Sequence, residues 1–425
     1  MKNFTSALGL LCFQFRDEPS SVDLAHGQRF AFILGVLVLL NVSSAAKHLA
    51  PDHFQWHLHS RADLSSSIQE QIWEASRTAL IVCDMWGYHH SVNALRRLKS
   101  FAPRLNDVLS EAHRRGAIII HASSDCMPFY GTHLTRRRAL ATNPASDSPT
   151  DIARWCHRIP TEEQATYHLD QTNGGEDDDL QEHAKWAIFL KSIGRNPGTP
   201  WQSQMSLITI DAYRGYICAE GDVVSNVLEA NDITHGVLTG VHLIRCVPGR
   251  PFGLRQMKRG GKSVASMRDM TDVMYEPNSW PYVSHFSGLH LVIEHIERHV
   301  CPTVTSDQLL DGKPFQFHED RRPIIAVSSA TAWDQELRRQ FQVRLLGADS
   351  PATECLEAAA LWLTSDGALS TEAITAFSDT GKPIISDASK AWSHFGVSNG
   401  FHALTSKDFV KREVESNRHP ILQEM

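Results

Sequence analysis

Beyond about residue 78, apolar positions recur in two alternating rhythms. Ala79–Cys83 (ALIVC) is an unbroken apolar run closed by Asp84, the pattern of a parallel strand buried on both faces with a polar residue at its carboxyl end. Leu95, Leu98, Phe101, Leu105, Val108 and Leu109 then recur at steps of three and four as far as Gly116, which predicts a helix from Leu95 to Arg115 with a glycine stop. A second strand, Ala117–His121, follows. Between about Leu134 and Gln204 the rhythm gives way to a long polar insertion that includes Gly174-Gly175-Glu176-Asp177-Asp178-Asp179. It resumes with a strand at Leu207–Asp211, a helix near Asp222–Ala230, a strand at Gly236–Gly240 and a helix from about Cys246 to Arg259. A strand at Ser263–Arg268, a helix at Ser287–Val300 and a short strand at Thr303–Thr305 complete the series. Strands alternating with helices predict an α/β fold with a doubly wound, mostly parallel sheet covered by helices on both faces. Ligands of such sheets sit beyond the carboxyl ends of the strands.

The flanks read differently. Residues 47–77 are polar, rich in His and Ser and without a clean period, and are expected to form a leader lying on the first domain. Ahead of them, Phe30–Leu40 (FAFILGVLVLL) follows Arg29 and precedes the small residues Ser43-Ser44-Ala45-Ala46. This reads as an export signal at residues 1–46, too short for a comfortable membrane span. The expected location is exported or periplasmic, and cytoplasmic if the segment is not a working signal. The first domain covers 78–310, with the insertion at about 134–204, and residues 311–322 form a charged linker (FQFHEDRR at its end). A second alternation fills 323–425, with strands at Pro323–Val327, Gln342–Leu346, Ala360–Leu363 and Pro383–Ser386 and a helix at Ser370–Thr380. It predicts a smaller, trimmed α/β domain.

Composition narrows the function classes. The chain has 425 residues, 42% of them hydrophobic and 21% charged, as in an ordinary globular protein. A net charge of -7 offers no basic field for nucleic acid, and clusters such as Arg136–Arg138 are short enough to be solvated faces. The eight cysteines form neither a dense disulfide framework nor a Cys-x-x-Cys zinc pair. No metal and no cofactor are expected, and the expected partner is a small-molecule substrate.

The strand ends carry the candidate chemistry. Asp84 follows the first strand, His121 and Asp125 close the second, Asp211 follows the third, and Val241-His242-Leu243-Ile244-Arg245-Cys246 follows the fourth. Cys246 falls at the start of a helix, where the macrodipole and free amides lower a thiol's pKa and can hold an oxyanion. Asp84, desolvated at the end of an apolar strand, suits the role of a base that takes the thiol proton and returns it to a leaving group. Each has a plainer reading, a core cysteine and a strand-end cap. His89 is a candidate for orienting substrate, with metal ligation as its alternative, and Trp86 is either a pocket wall or core. The acidic run Glu176–Asp179 lacks calcium-loop spacing and reads as a solvated loop.

Ile81-Val82-Cys83-Asp84-Met85-Trp86, the strand Ile118–His121 and above all Val237-Leu238-Thr239-Gly240-Val241-His242 with Cys246-Val247 resemble the isochorismatase-like family of cysteine hydrolases. The resemblance spans the first domain. It implies a three-layer α/β/α fold and a catalytic Asp-Lys-Cys triad, with Asp84 and Cys246 at the matching places. No lysine matches: Asp211 stands after the expected third strand and Arg214 a turn later, a cation that cannot shuttle a proton. The turn also departs from the family pattern, with His242 or Leu243 where threonine is common, so the family's cis peptide in the oxyanion turn is not assumed. The family's zinc-binding Asp-x-His is not reproduced by Ser123–Asp125. Homo-oligomers are common in the family. Residues 323–425 weakly resemble trehalose-utilisation-protein-like domains of the class I glutamine amidotransferase-like, flavodoxin-like folds. There Ser386-Asp387-Ala388-Ser389 lacks the family's cysteine and glycines, and His394 is the one notable polar residue. The expectation is a hydrolase of non-peptide carbon–nitrogen bonds acting through a thioester at Cys246. Asp84 serves as base, Val241, His242 and Arg245 form the oxyanion turn, and His89, Trp86, His121, Arg214 and Asp211 are candidates for binding substrate. The alternative is a degenerate fold kept for binding or assembly.

Overall fold

The computed structural model describes residues 52–386 apart from 63–64, 164, 166–168, 330–336, 338–339, 349 and 366. The signal-like segment and His394 lie outside the described residues. The described residues form an eight-stranded, mostly parallel sheet flanked by helices and a second, four-stranded parallel sheet. In the larger sheet the order is β2-β1-β8-β7-β6-β3-β4-β5. Its strands are β1 (His53–Ala62), β2 (Ser65–Glu74), β3 (Thr78–Cys83), β4 (Ile118–Ala122), β5 (Tyr216–Ile217), β6 (His235–Val241), β7 (Ser263–Asp272) and β8 (Thr303–Val304).

β3 is buried at every position, which explains its continuous apolar run: sheet neighbours lie on either side and helices cover both faces. The helix Val92–Arg115 starts on the Ser91 hydroxyl, which accepts the Ala94 N–H, and stops at left-handed Gly116. β3 runs parallel to β6 and β4 with Cys83 opposite both Gly240 and Ala122. This register aligns three strand ends, so Asp84, Ser123 and Val241 emerge side by side. Gly240 makes the approach feasible, because at φ +87° a Cβ there would stand 2.0 Å from the Cys83 carbonyl oxygen.

Several elements differ from the sequence expectation. The supposed polar leader is a ten-by-ten-residue antiparallel hairpin, β1–β2, that extends the sheet through β8. Phe54, Trp56 and Leu58 of β1 are buried between exposed His53, Gln55 and His57. The third strand is Tyr216–Ile217 rather than Leu207–Asp211. β7 runs on to Asp272. The helix expected over Cys246–Arg259 is two, Cys246–Gly249 and Leu254–Arg259, because Pro251 forces Arg250 into extended backbone and removes an amide donor. The insertion also contains helices, Leu134–Leu140 and Leu180–Ser192.

In the smaller sheet, β9 (Ile324–Val327), β10 (Gln342–Leu345), β11 (Ala360–Leu363) and β12 (Ile384–Ser386) run in the order β10-β9-β11-β12. Its helix Thr371–Ser378 begins on the Ser370 hydroxyl. No helix among the described residues is long and apolar enough to cross a membrane.

Candidate active site

At the ends of β3 and β6 the structure gathers Asp84, Cys246 and an arginine. Asp84 is fully buried with left-handed backbone, φ 50°. Its Oδ1 accepts the Ser124 N–H at 2.7 Å, and its Oδ2 accepts Nε–H of Arg250 at 3.2 Å. Burial pushes the Asp84 carboxyl above its ordinary range, opposed first by the Arg250 charge. Cys246 opens the short helix Cys246–Gly249 and is only 9% exposed. Burial first and the Asp84 charge second push its thiol up to about 12, while Arg250 and the His242 backbone act in the opposite direction. The helix start therefore does not lower this thiol's resting pKa. A helix of one turn brings little dipole, and desolvation outweighs it. All seven cysteines among the described residues are buried free thiols.

Arg250 is the residue that sequence reasoning missed. Besides Asp84, its Nη2 lies 3.5 Å from Asp125 Oδ2, and its guanidinium sits 4.7 Å from the Trp155 ring centroid. Trp155 comes from the insertion, which also closes on this helix through Cys156 N–H donating to Gly249 O at 2.8 Å. The available signal was spacing: Arg250 is four residues past Cys246, one helical turn on the same side.

The turn before Cys246 holds a cis peptide between Val241 and His242, so this element of the resembled family is present although the threonine is not. The Leu243 amide donates to Asp272 O, and the Arg245 and Val247 amides both donate to His242 O. The His242 side chain points to His89, with Nε2 to Nε2 at 3.1 Å. His89 Nδ1 accepts the Ser91 N–H at 3.1 Å, so the proton of neutral His89 is on Nε2 and is donated to His242, whose own proton then sits on Nδ1. That buried Nδ1 has no hydrogen-bond partner among the described residues. Burial holds His242 down at about 3 and His89 well below its ordinary value, so both rings are neutral near pH 7.

The other sequence candidates are dispersed. Trp86 donates its indole N–H to Ser124 O at 3.0 Å and stacks on Trp201, so it braces the loop that binds Asp84. His121 is buried within β4 with Nδ1 3.0 Å from Gln204 Oε1, and burial lowers it to about 4. Arg245 is exposed and reaches Gln171 at 3.2 Å. Asp211 and Arg214 are not at a carboxyl strand end: they precede β5, and Asp211 pairs with His113 near the end of the helix Val92–Arg115. After β5 come Cys218, Ala219 and Glu220, with Glu220 paired to Arg136 at 2.8 Å, so no lysine occupies that strand end.

The acidic run is structural rather than a solvated loop. Asp177 forks onto Arg97, which also donates to buried Asp272 at 2.7 Å. Asp178 accepts the Val92 and Asn93 amides at the start of the helix Val92–Arg115, and Asp179 caps Leu180–Ser192. Among the described residues no group of three or more His, Cys, Asp or Glu side chains is placed to hold a metal ion. A shallow recess lined by Val224, Phe252, Met257 and Lys262 does not include Cys246, Asp84 or Arg250.

No family model matches the chain, and no curated protein matches it. A solved cysteine hydrolase from Pseudomonas syringae pv. phaseolicola 1448A is 13% identical, with a TM-score of 0.34 over 56% of this chain and 92% of that one. At that score the likeness supports no conclusion about this chain.

Proposed function

We propose that the protein is a cysteine hydrolase that cleaves a non-peptide carbon–nitrogen bond, of amide or ureido type, through a covalent acyl intermediate on Cys246, as its resemblance to the isochorismatase-like family implies. The observation that supports this most is the meeting of a buried thiol, a buried carboxylate and a guanidinium at adjacent strand ends. Asp84 takes the thiol proton as sulfur attacks the carbonyl carbon, and the new oxyanion faces amides of the His242–Cys246 turn other than those of Leu243 and Arg245, which donate within the protein. The tetrahedral adduct collapses, the carbon–nitrogen bond breaks, and the amine leaves with the proton from Asp84. Water then gives a proton to Asp84 and adds to the thioester. The carbon–sulfur bond breaks, and that proton returns to sulfur.

The resting state suits a gated nucleophile. A thiol near 12 is almost wholly protonated at pH 7, so attack requires transfer to Asp84 within the occupied site rather than a standing thiolate. One set of observations favours the second reading, a fold kept for binding: no lysine stands at the β5 end, and Cys246 is nearly closed to solvent. Amine or ammonia release from a panel of small amides and ureides separates the two. The hydrolase reading expects turnover that Cys246→Ala and Asp84→Asn both abolish. Binding of panel members without release by the wild type supports the second reading.

A further inference from the structure

We infer that Arg250 is the positioning cation of the Cys246–Asp84 pair, doing from the nucleophile's own helix what a lysine on a separate strand would otherwise do. Its placement and three contacts argue for it. The side chain is set one turn beyond Cys246, its Nε is bonded to Asp84 at 3.2 Å, its Nη2 lies 3.5 Å from Asp125, and its plane rests 4.7 Å from the Trp155 ring centroid. Extended backbone before Pro251 ends the helix at this residue. Such a guanidinium is held in one place at little further entropic cost.

Charge balance gives the role. Before proton transfer the buried charges are the Asp84 carboxylate and the Arg250 guanidinium, and after it they are the Cys246 thiolate and the same guanidinium. The sum is zero both times. Without Arg250 a lone negative charge would occupy a desolvated site in either state, and burial disfavours such a charge. Asp125 is 60% exposed and is largely screened by water. Arginine never yields its proton, so Arg250 keeps its charge while the Cys246 proton moves. The contribution to catalysis rests on the hydrolase reading, but the effect on the thiol does not.

The test follows iodoacetamide alkylation of Cys246 by peptide mass spectrometry from pH 7 to 9.5, with the other cysteines as internal controls. Alkylation forms the carbon–sulfur bond with loss of iodide, and the thiol proton goes to buffer. Arg250→Met is expected to slow it tenfold or more at each pH, as a one-unit rise in thiol pKa requires. Arg250→Lys should stay within about threefold of wild type, since one charge replaces another. In Arg250→Ala, added guanidinium ion should restore the rate, a response that a packing defect would not give. Wild-type rates in folded Arg250→Met overturn the inference. Should that variant fail to fold, Arg250→Ala without guanidinium rescue overturns it instead. A substrate panel with no turnover would sink the hydrolase reading and leave this result standing.

Discussion

The two parallel sheets offer the same kind of place, the carboxyl ends of central strands, and fill it differently. In the larger sheet the ends of β3 and β6 hold a carboxylate, a thiol and a guanidinium, all withdrawn from water and facing one another. In the smaller one the described side chains that meet at the ends of β9 and β11 are hydroxyls. Ser328 and Ser329 lie 3.0 and 2.7 Å from the Thr364 hydroxyl, and Ser328 also accepts the Thr364 amide at 2.8 Å. Gly367 closes on them so tightly that a Cβ there would fall 1.9 Å from the Ser328 hydroxyl. Neutral groups that satisfy one another cost little to bury, but they offer no proton whose position matters. Both sheets supply the same kind of location, and the two places differ in whether charged groups are desolvated there.

The sharpest break of this contrast is Asp84→Asn. It should lower turnover of any amide or ureido substrate at least a thousandfold, a scale typical of losing a general base coupled to a nucleophile. The same change should accelerate Cys246 alkylation, because the Asp84 charge raises the thiol's pKa and its removal leaves Arg250 unopposed. Unfolding would also expose buried thiols, so the acceleration must be confined to Cys246 while the other buried cysteines stay unreactive. Next in size is Arg97→Met, which takes the guanidinium from Asp272 and Asp177 and leaves both beside His285. Breaking such a buried pair costs about 3–5 kcal/mol, to be read from denaturant unfolding. Gly240→Ala should rival it, since its Cβ would collide with Cys83 and force β6 from β3.

Acid should weaken the larger sheet's surroundings selectively. Glu162 and Glu297 are each pulled down to about 2, opposed by burial but favoured by His295 and Arg255 in one case and by His59, Arg268 and Arg61 in the other. A carboxylate depressed in the folded state stabilises above its unfolded value and loses that contribution as pH falls toward 2. His242 and His121, held neutral down to about 3 and 4, act in the same direction: the unfolded chain takes up their protons first, below about 6.5. The melting temperature is therefore expected to fall steadily from pH 6.5 to 3. The smallest effect belongs to the smaller sheet, where Ser328→Ala should cost about 1 kcal/mol and leave Cys246 alkylation unchanged.

The parts legible in sequence were those with local cause. β3 announced itself by a run buried on every side, and the smaller sheet's strands fell within a residue of expectation because each is a short apolar run with polar flanks. Asp84 and Cys246 were legible as candidates because a strand end and a strand-to-helix turn are local features, and the fold brings both to the ends of β3 and β6. The hairpin β1–β2 was missed because only three buried residues alternate in β1, while Ile68 and Ile72 of β2 lie exposed on an edge strand. Leu207–Asp211 alternates better than β5, yet pairing with β4 and not alternation makes a strand. The acidic run reads as solvated until Arg97 and the Val92 and Asn93 amides, some eighty residues away, are brought to it. Arg250 is not legible in the same way, because its link to Asp84 joins residues 166 positions apart in sequence.

The central claim, a nucleophile at Cys246 served by Asp84, is tested most directly with an activated acyl donor such as p-nitrophenyl acetate, following S-acetylation of the Cys246 peptide by mass spectrometry after acid quench. The account predicts that wild type forms the adduct and clears it, whereas in Asp84→Asn the adduct persists for want of a base to deprotonate water. No adduct on Cys246 in wild type, or one that clears equally fast in both proteins, would contradict it.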